Sequence, residues 1–225
     1  MTGYWVDIAA VGFFALEWLV YAITLEHTAY GRDSLSARMH VYREIWVRNL
    51  LNRDARMVDM QIMASLQNGT AFFASTSLLA IGGALTLLRA TNDAIAVLGT
   101  LPISLNPSPA LWEIKCLGLV LIFIYTFFKF AWAYRLFNYV AILFGAMPPA
   151  TERDTAAAEA HVIRTSRLFE SAGQHFNRGQ RAFFFALGYL GWFISPWVLF
   201  VTTAAVVIVI WRRQFASNAW QAMGS

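Results

Sequence analysis

Residues 64–85 read ASLQNGTAFFASTSLLAIGGAL. Residues 66–88 hold no charged side chain, and roughly 20 predominantly apolar residues are enough for a helix to cross a bilayer. The apolar character is continuous rather than alternating, so the spanning form is a helix and not a barrel strand. The stretch nonetheless opens with Gln67, Asn68 and Thr70 and continues through Ser75, Thr76 and Ser77. Two readings stand side by side. Hydroxyls can bond carbonyls one turn back on their own helix, while Thr76, Ala80 and Ala84 form a small-xxx-small ladder for close helix packing. Alternatively, the polar residues form a stripe along a water-filled path. Asn68-Gly69-Thr70 also fits the glycosylation triplet, but its place in a span argues against that use.

The rest of the chain agrees with a membrane setting. Of 225 residues, 58% are hydrophobic and only 13% charged, about half the usual charged share of soluble domains. Mean hydropathy is +0.51. Three further apolar stretches reach spanning length, giving expected spans near 4–24, 66–88, 113–136 and 188–210. The first retains its place as a span because no basic side chain precedes Arg32, unlike a signal peptide. The outer loop, 89–112, contains prolines that predict a turn before the third span.

Arginine placement sets an expected orientation. Arg32, Arg38, Arg43, Arg48, Arg53 and Arg56 lie in the first loop, 25–65. Arg153, Arg164, Arg167, Arg178 and Arg181 lie in the third, 146–181, leaving only Arg89, Arg212 and Arg213 on the other side. The positive-inside rule then places loops one and three in the cytoplasm and both termini outside. The expected location is a bacterial inner membrane. Tyr4, Trp5, Trp112 and Trp211 would form an outer aromatic belt. The net charge of +4 serves topology; there is no basic run or motif for nucleic acid.

The third and fourth apolar stretches exceed a bilayer's needs, and helix formers precede the second and fourth. Helices two to four are therefore expected to extend into a cytoplasmic helical layer. Asp54 is a candidate cap for the second, Thr151 or Thr155 for the fourth, and Pro148-Pro149 ends the third. In loop one, Leu35, Met39, Tyr42, Trp46 and Leu50 share a face of an amphipathic helix that would either lie on the membrane or pack on the layer. Arg38, Arg43, Arg48 and Arg135 are candidates for lipid phosphates.

Ionisable groups within spans are functional candidates by default. Glu17 and Lys129 each lie thirteen residues in from Tyr4 and Cys116, about 20 Å by helix rise. Asp7 and Lys115 both lie near the outer interface. An ion pair between Glu17 and Lys129 would pin two helices or serve as a gate or proton relay. No cofactor or metal is expected. The histidines, His27, His40, His161 and His175, all lie outside the apolar cores, where they cannot grip a haem between spans. Cys116 is a lone core thiol, and no zinc, P-loop or nucleophile-elbow motif occurs.

Residues 64–85, with YRLFNYVAILFGAMP (134–148) and FNRGQRAFFFALGYLGWFISP (176–196), resemble a bacterial and plant membrane-protein family catalogued as domain of unknown function 599. The resemblance covers most of the chain. It implies a multi-pass membrane protein and supplies no activity, substrate or catalytic residue. The expected architecture is all-α with four transmembrane helices. The function expected from the residues is non-enzymatic: an accessory or self-assembling structural subunit, partnered by the bilayer and by its own copies or another membrane protein. The alternative is a homo-oligomeric channel or small-solute transporter, and an enzyme acting on lipid stands third.

Overall fold

The computed structural model describes residues 3–99 and 108–223. The turn expected from the prolines of the outer loop falls largely on residues 100–107, outside the described residues. Among the described residues every regular element is a helix: α1 (Gly3–His27), α2 (Ala29–Arg32), α3 (Leu35–Asn49), α4 (Met57–Arg89), α5 (Thr91–Gly99), α6 (Pro109–Gly145), α7 (Ala156–Tyr189), α8 (Gly191–Ile194), α9 (Pro196–Phe215) and α10 (Asn218–Ala222). Four helical segments are long and apolar enough to cross a membrane: Tyr4–His27, Met57–Arg89, Pro109–Gly145 and Pro196–Ala222.

Helix ends follow local chemistry. Ser34, Ser108, Thr155, Ser195 and Ser217 each accept from a backbone N–H three residues on, satisfying donors that a helix leaves open. Pro109 and Pro196 stand at first helical positions, where the missing N–H costs nothing. Asp54 does not cap α4; the residue before Met57 is Arg56, which makes no side-chain cap. Arg56 instead forks onto the carbonyls of Met147 and Pro148 at 2.8 and 2.7 Å, tying the start of α4 to the end of α6.

α4, α6 and α7 pack antiparallel in chain order. Along α4 and α6, Gln67 meets Asn138 (2.7 Å), Phe73 stacks on Phe130 (5.2 Å between centroids), and Trp112 donates to the Leu87 carbonyl (3.3 Å). Along α6 and α7, the paired rings are Phe144–Phe169, Phe130–Phe176 and Phe123–Phe183, and Trp112 meets Phe193 of α8. α7 and α8 together therefore run the length of α6. α1 runs antiparallel to α7, from Phe14 against Tyr189 to Glu26 against Arg178, and parallel to α9, from Phe13–Phe200 to Tyr21–Trp211.

This arrangement corrects the expectation of one span at 188–210. The apolar stretch folds back on itself: α7 ends at Tyr189, Ser195 is extended (φ −163°, ψ 161°), and α9 starts at Pro196. Serine followed by proline is a helix-start signal, and it overrides apolar continuity. It also puts the two ends of the described chain at opposite ends of the bundle. α9 returns to the loop-one end, where Gln214 accepts from Ser36 and Trp220 donates to the Asp33 carbonyl at 2.7 Å. The start of α1 lies at the opposite end, where Asp7 meets Trp192. Trp211 accordingly stands far from Trp112 and does not join a belt with it.

α7 escapes a hydropathy criterion because Glu159, Arg164, Arg167, Glu170, Arg178 and Arg181 lie on it. Toward its C-terminal half it is packed among other helices, where Arg178 and Arg181 meet Glu26 of α1, whereas Arg164 and Arg167 are exposed. Two clusters of buried residues divide the bundle. One, around Phe14, Phe123, Phe185, Tyr189 and Leu199, lies toward the Trp112 end. The other, around Val47, Met63, Phe137, Phe144, Val162 and Phe169, joins α3, α4, α6 and α7 at the loop-one end. In α3, Trp46 and Val47 turn to this second core, whereas Met39 and Tyr42 are exposed.

Candidate functional site

At the Trp112 end, three helices bring two of the sequence-marked charges together. The indole N–H of Trp192 on α8 donates to Asp7 Oδ1 of α1 at 2.6 Å. The Lys115 ammonium of α6 sits over the same indole, 5.3 Å from the ring centroid. Asp7 and Lys115 are both buried. Trp192 thus places its positive edge on the carboxylate and its negative face under the ammonium, satisfying a buried charge of each sign. Sequence reasoning missed Trp192 because it lay within an apolar run. The polar edge of a tryptophan needs a partner when buried, which was the available signal.

Glu17 and Lys129 form no ion pair. Depth matching along two helices does not fix azimuth: Trp18 meets Tyr125 of α6 edge-on, and Glu17 lies about 100° round α1 from it. The Lys129 ammonium rests over Tyr125 instead, at 5.1 Å.

The expected polar stripe divides between faces of α4. Thr70 and Ser77 are buried, and both bond carbonyls one turn back, as does Thr76. Gln67 donates to Asn138. Asn68 and Ser75 face outward, on the same side as Gly69, Gly82 and Gly83, which have open space where a Cβ would stand. Ala84 is buried and Ala80 half-buried, both in the first core.

A polar concavity lies at the loop-one end, between α1, α3, α7, α9 and α10. Its volume is about 570 Å³. Arg178 and Arg181, one turn apart on α7, converge on Glu26 of α1. Arg178 makes two bonds to it, at 3.0 and 2.8 Å, and Arg181 shares the Oε1 oxygen. His40 approaches Glu170 at 3.4 Å, and Gln174 donates to Glu170 at 3.0 Å. Arg43 extends from α3 across Gly173. A Cβ at position 173 would come within 2.6 Å of its Nη1, so only glycine leaves room for the guanidinium there. Arg43 also lies 5.6 Å from the centre of the Phe169 ring. Burial pushes its pKa down, against the opposing pull of Glu170. Arg213 of α9 rests over Phe184 at the same cavity.

The other expected phosphate-binding arginines have protein partners. Arg38 covers Trp220 at 4.5 Å and approaches Asp33 at 3.7 Å. Arg48 grips Glu159 through two bonds at 2.7 and 2.9 Å, which lowers the carboxyl pKa and raises that of the guanidinium. Arg135 donates to Tyr139 at 2.7 Å. Asp59, unmarked by the sequence, is buried and accepts from Trp46 and Arg53, both at 2.6 Å. His161 bonds the Leu143 carbonyl, away from Glu26.

An all-helical chain with four membrane-length apolar helices and charges buried between them is a membrane protein in class. The chain belongs to the family described as "Protein of unknown function, DUF599", which it matches over residues 9–219. No curated protein and no solved structure matches it.

Proposed function

We propose that this is a non-enzymatic integral membrane protein that crosses the bilayer five times and acts through association with copies of itself. The carrying observation is the outward face of α4. Ser75, Gly82 and Gly83 lie there within the apolar run, with no covering residue among those described, and Asn68 and Gly69 continue the face to the level of the second core. Polar side chains facing hydrocarbon are costly, and glycines let a second helix approach closely. A second copy of α4 would satisfy both conditions.

In this reading α7 is the fourth crossing, screened from lipid by its neighbours. Apart from Arg89 and the buried Lys115, every lysine and arginine lies at the depth of Lys129 or toward the loop-one end. By the positive-inside rule that end faces the cytoplasm, with the second core as a cytoplasmic layer and the start of α1 outside a bacterial inner membrane. The C-terminal helix then lies inside.

Native mass spectrometry of the gently extracted protein tests the association. A homo-oligomer that dissociates in Gly82→Leu and Gly83→Leu supports it, and a monomer at every concentration removes it. The outward Asn68 and Ser75 also suit a second reading, a pore between copies. Single cysteines at those positions would then react with polar thiol reagents in the membrane, whereas packed helices would shield them.

A further inference from the structure

We propose that the cavity between α1, α3, α7 and α9 binds a phosphate group, carried by a lipid headgroup or free in solution. The inference is independent of self-association.

Four arginines from three helices line this one space: Arg43, Arg178, Arg181 and Arg213. Glu26 compensates only the α7 pair. Glu170 is engaged with His40 and Gln174. Arg43 and Arg213 therefore have aromatic rings as their neighbours and no carboxylate within ion-pair distance among the described residues. Arg43 is half-buried, and the charge of Glu170 reaches it only from beyond ion-pair distance; a guanidinium withdrawn from water without a close counter-ion is destabilising. Its placement is accounted for when an anion arrives with the ligand. His40 adds to this: its Nδ1 is buried and has no partner, leaving a further polar atom on the same wall.

The chemistry favours phosphate over a simple carboxylate. Arginine forks match phosphate oxygens in pairs, and the excess positive charge suits an anion of charge one to two. The volume exceeds a phosphate group alone, and the amides of Gln174, Asn177, Gln180 and Gln214 line the remainder, as a polar headgroup or phosphate ester needs. On the side toward the first core, Leu25, Phe184 and Ile210 line the wall, where an acyl chain could begin. Basic pockets between membrane helices suit such headgroups.

The test uses the full-length protein, purified and delipidated in detergent. It is titrated separately with phosphatidylglycerol, phosphatidylcholine, inorganic phosphate and glycerol 3-phosphate. Binding is read by native mass spectrometry and by the shift in Tm. A saturating ligand is expected to raise Tm by about 5–10 °C. Stabilisation by phosphatidylglycerol alone assigns the site to anionic lipid. Stabilisation by inorganic phosphate or glycerol 3-phosphate assigns it to a soluble ligand. Arg43→Gln without ligand is expected to be at least as stable as wild type, yet bind at least tenfold more weakly. Arg213→Gln, at an exposed side chain, is expected to bind about fivefold more weakly. Equal binding by both variants, equal stabilisation by phosphatidylcholine, or no stabilisation by any probe overturns the proposal.

Discussion

Gly179→Ala is expected to destabilise the protein although it improves the helix. In a helix interior, alanine is favoured over glycine by about 1 kcal/mol. Here the added Cβ would stand 3.0 Å from Phe130 Cδ1 and Cε1 and 3.1 Å from Cζ, inside ordinary van der Waals distance. Phe130 cannot yield easily: it is fully buried, stacked on Phe73 and edge-on to Phe176. Overpacking of this kind costs about 1–3 kcal/mol, and its upper half applies where the neighbour is enclosed. The net loss is about 1–2 kcal/mol, a fall in Tm of about 2–8 °C for a chain of this length. The assay is thermal unfolding in detergent followed by circular dichroism. Gly82→Ala, with open space at its Cβ, serves as the control and is expected to match or exceed wild type in monomeric protein. Phe130→Leu should make Gly179→Ala less costly in the double variant than alone. If Gly179→Ala raises Tm as Gly82→Ala does, α6 and α7 do not meet at this point and the account of their packing fails.

Three further outcomes follow from the polar contacts. Asp59→Ala should lower stability by about 1–3 kcal/mol by leaving the Trp46 indole without an acceptor; Asp59→Asn should cost less because it keeps an oxygen, and both are read by Tm. Trp192→Phe should cost a similar amount by removing the donor to Asp7, and adding Asp7→Asn should recover part of it by neutralising the stranded carboxylate. Arg48 lowers the Glu159 pKa, so that pair stabilises the fold above the ordinary glutamate range and the contribution is lost as pH falls through the lowered value. The Tm difference between wild type and Glu159→Gln should therefore be small but measurable at neutral pH and vanish in acid.

The legible part of this chain was what a bilayer imposes. Three of the four membrane-length helices lie where apolar runs place them, and each extends further, α4 upstream to Met57 and α6 downstream to Gly145. The fourth misled because hydropathy averages over a turn. Phe183 to Ile210 is apolar throughout, and only Ser195-Pro196 marks the reversal that adds a helix and moves the C-terminus. α7 was legible as a helix, with Thr155 as a candidate cap, but was read as an extension of the last span because its arginines mark it as polar; a helix packed against protein can carry arginines that a lipid-facing helix cannot. Among the candidate residues, Asp7 and Lys115 were legible as a pair by depth, but the Trp192 between them was not. Glu26, Arg178 and Arg181 required the knowledge that α1 and α7 are neighbours. Depth along a helix can be counted in sequence; azimuth is set by packing, and the Glu17–Lys129 pairing failed on azimuth.

The central claim is that α7 crosses the bundle and returns the C-terminus to the loop-one end. It is tested most directly by labelling single cysteines at Tyr4 and Asn218, in a Cys116→Ala background, with a membrane-impermeant maleimide. Intact cells and inverted membrane vesicles are compared. The account predicts labelling of position 4 only in cells and of position 218 only in inverted vesicles. Labelling of both positions from the same side would contradict it.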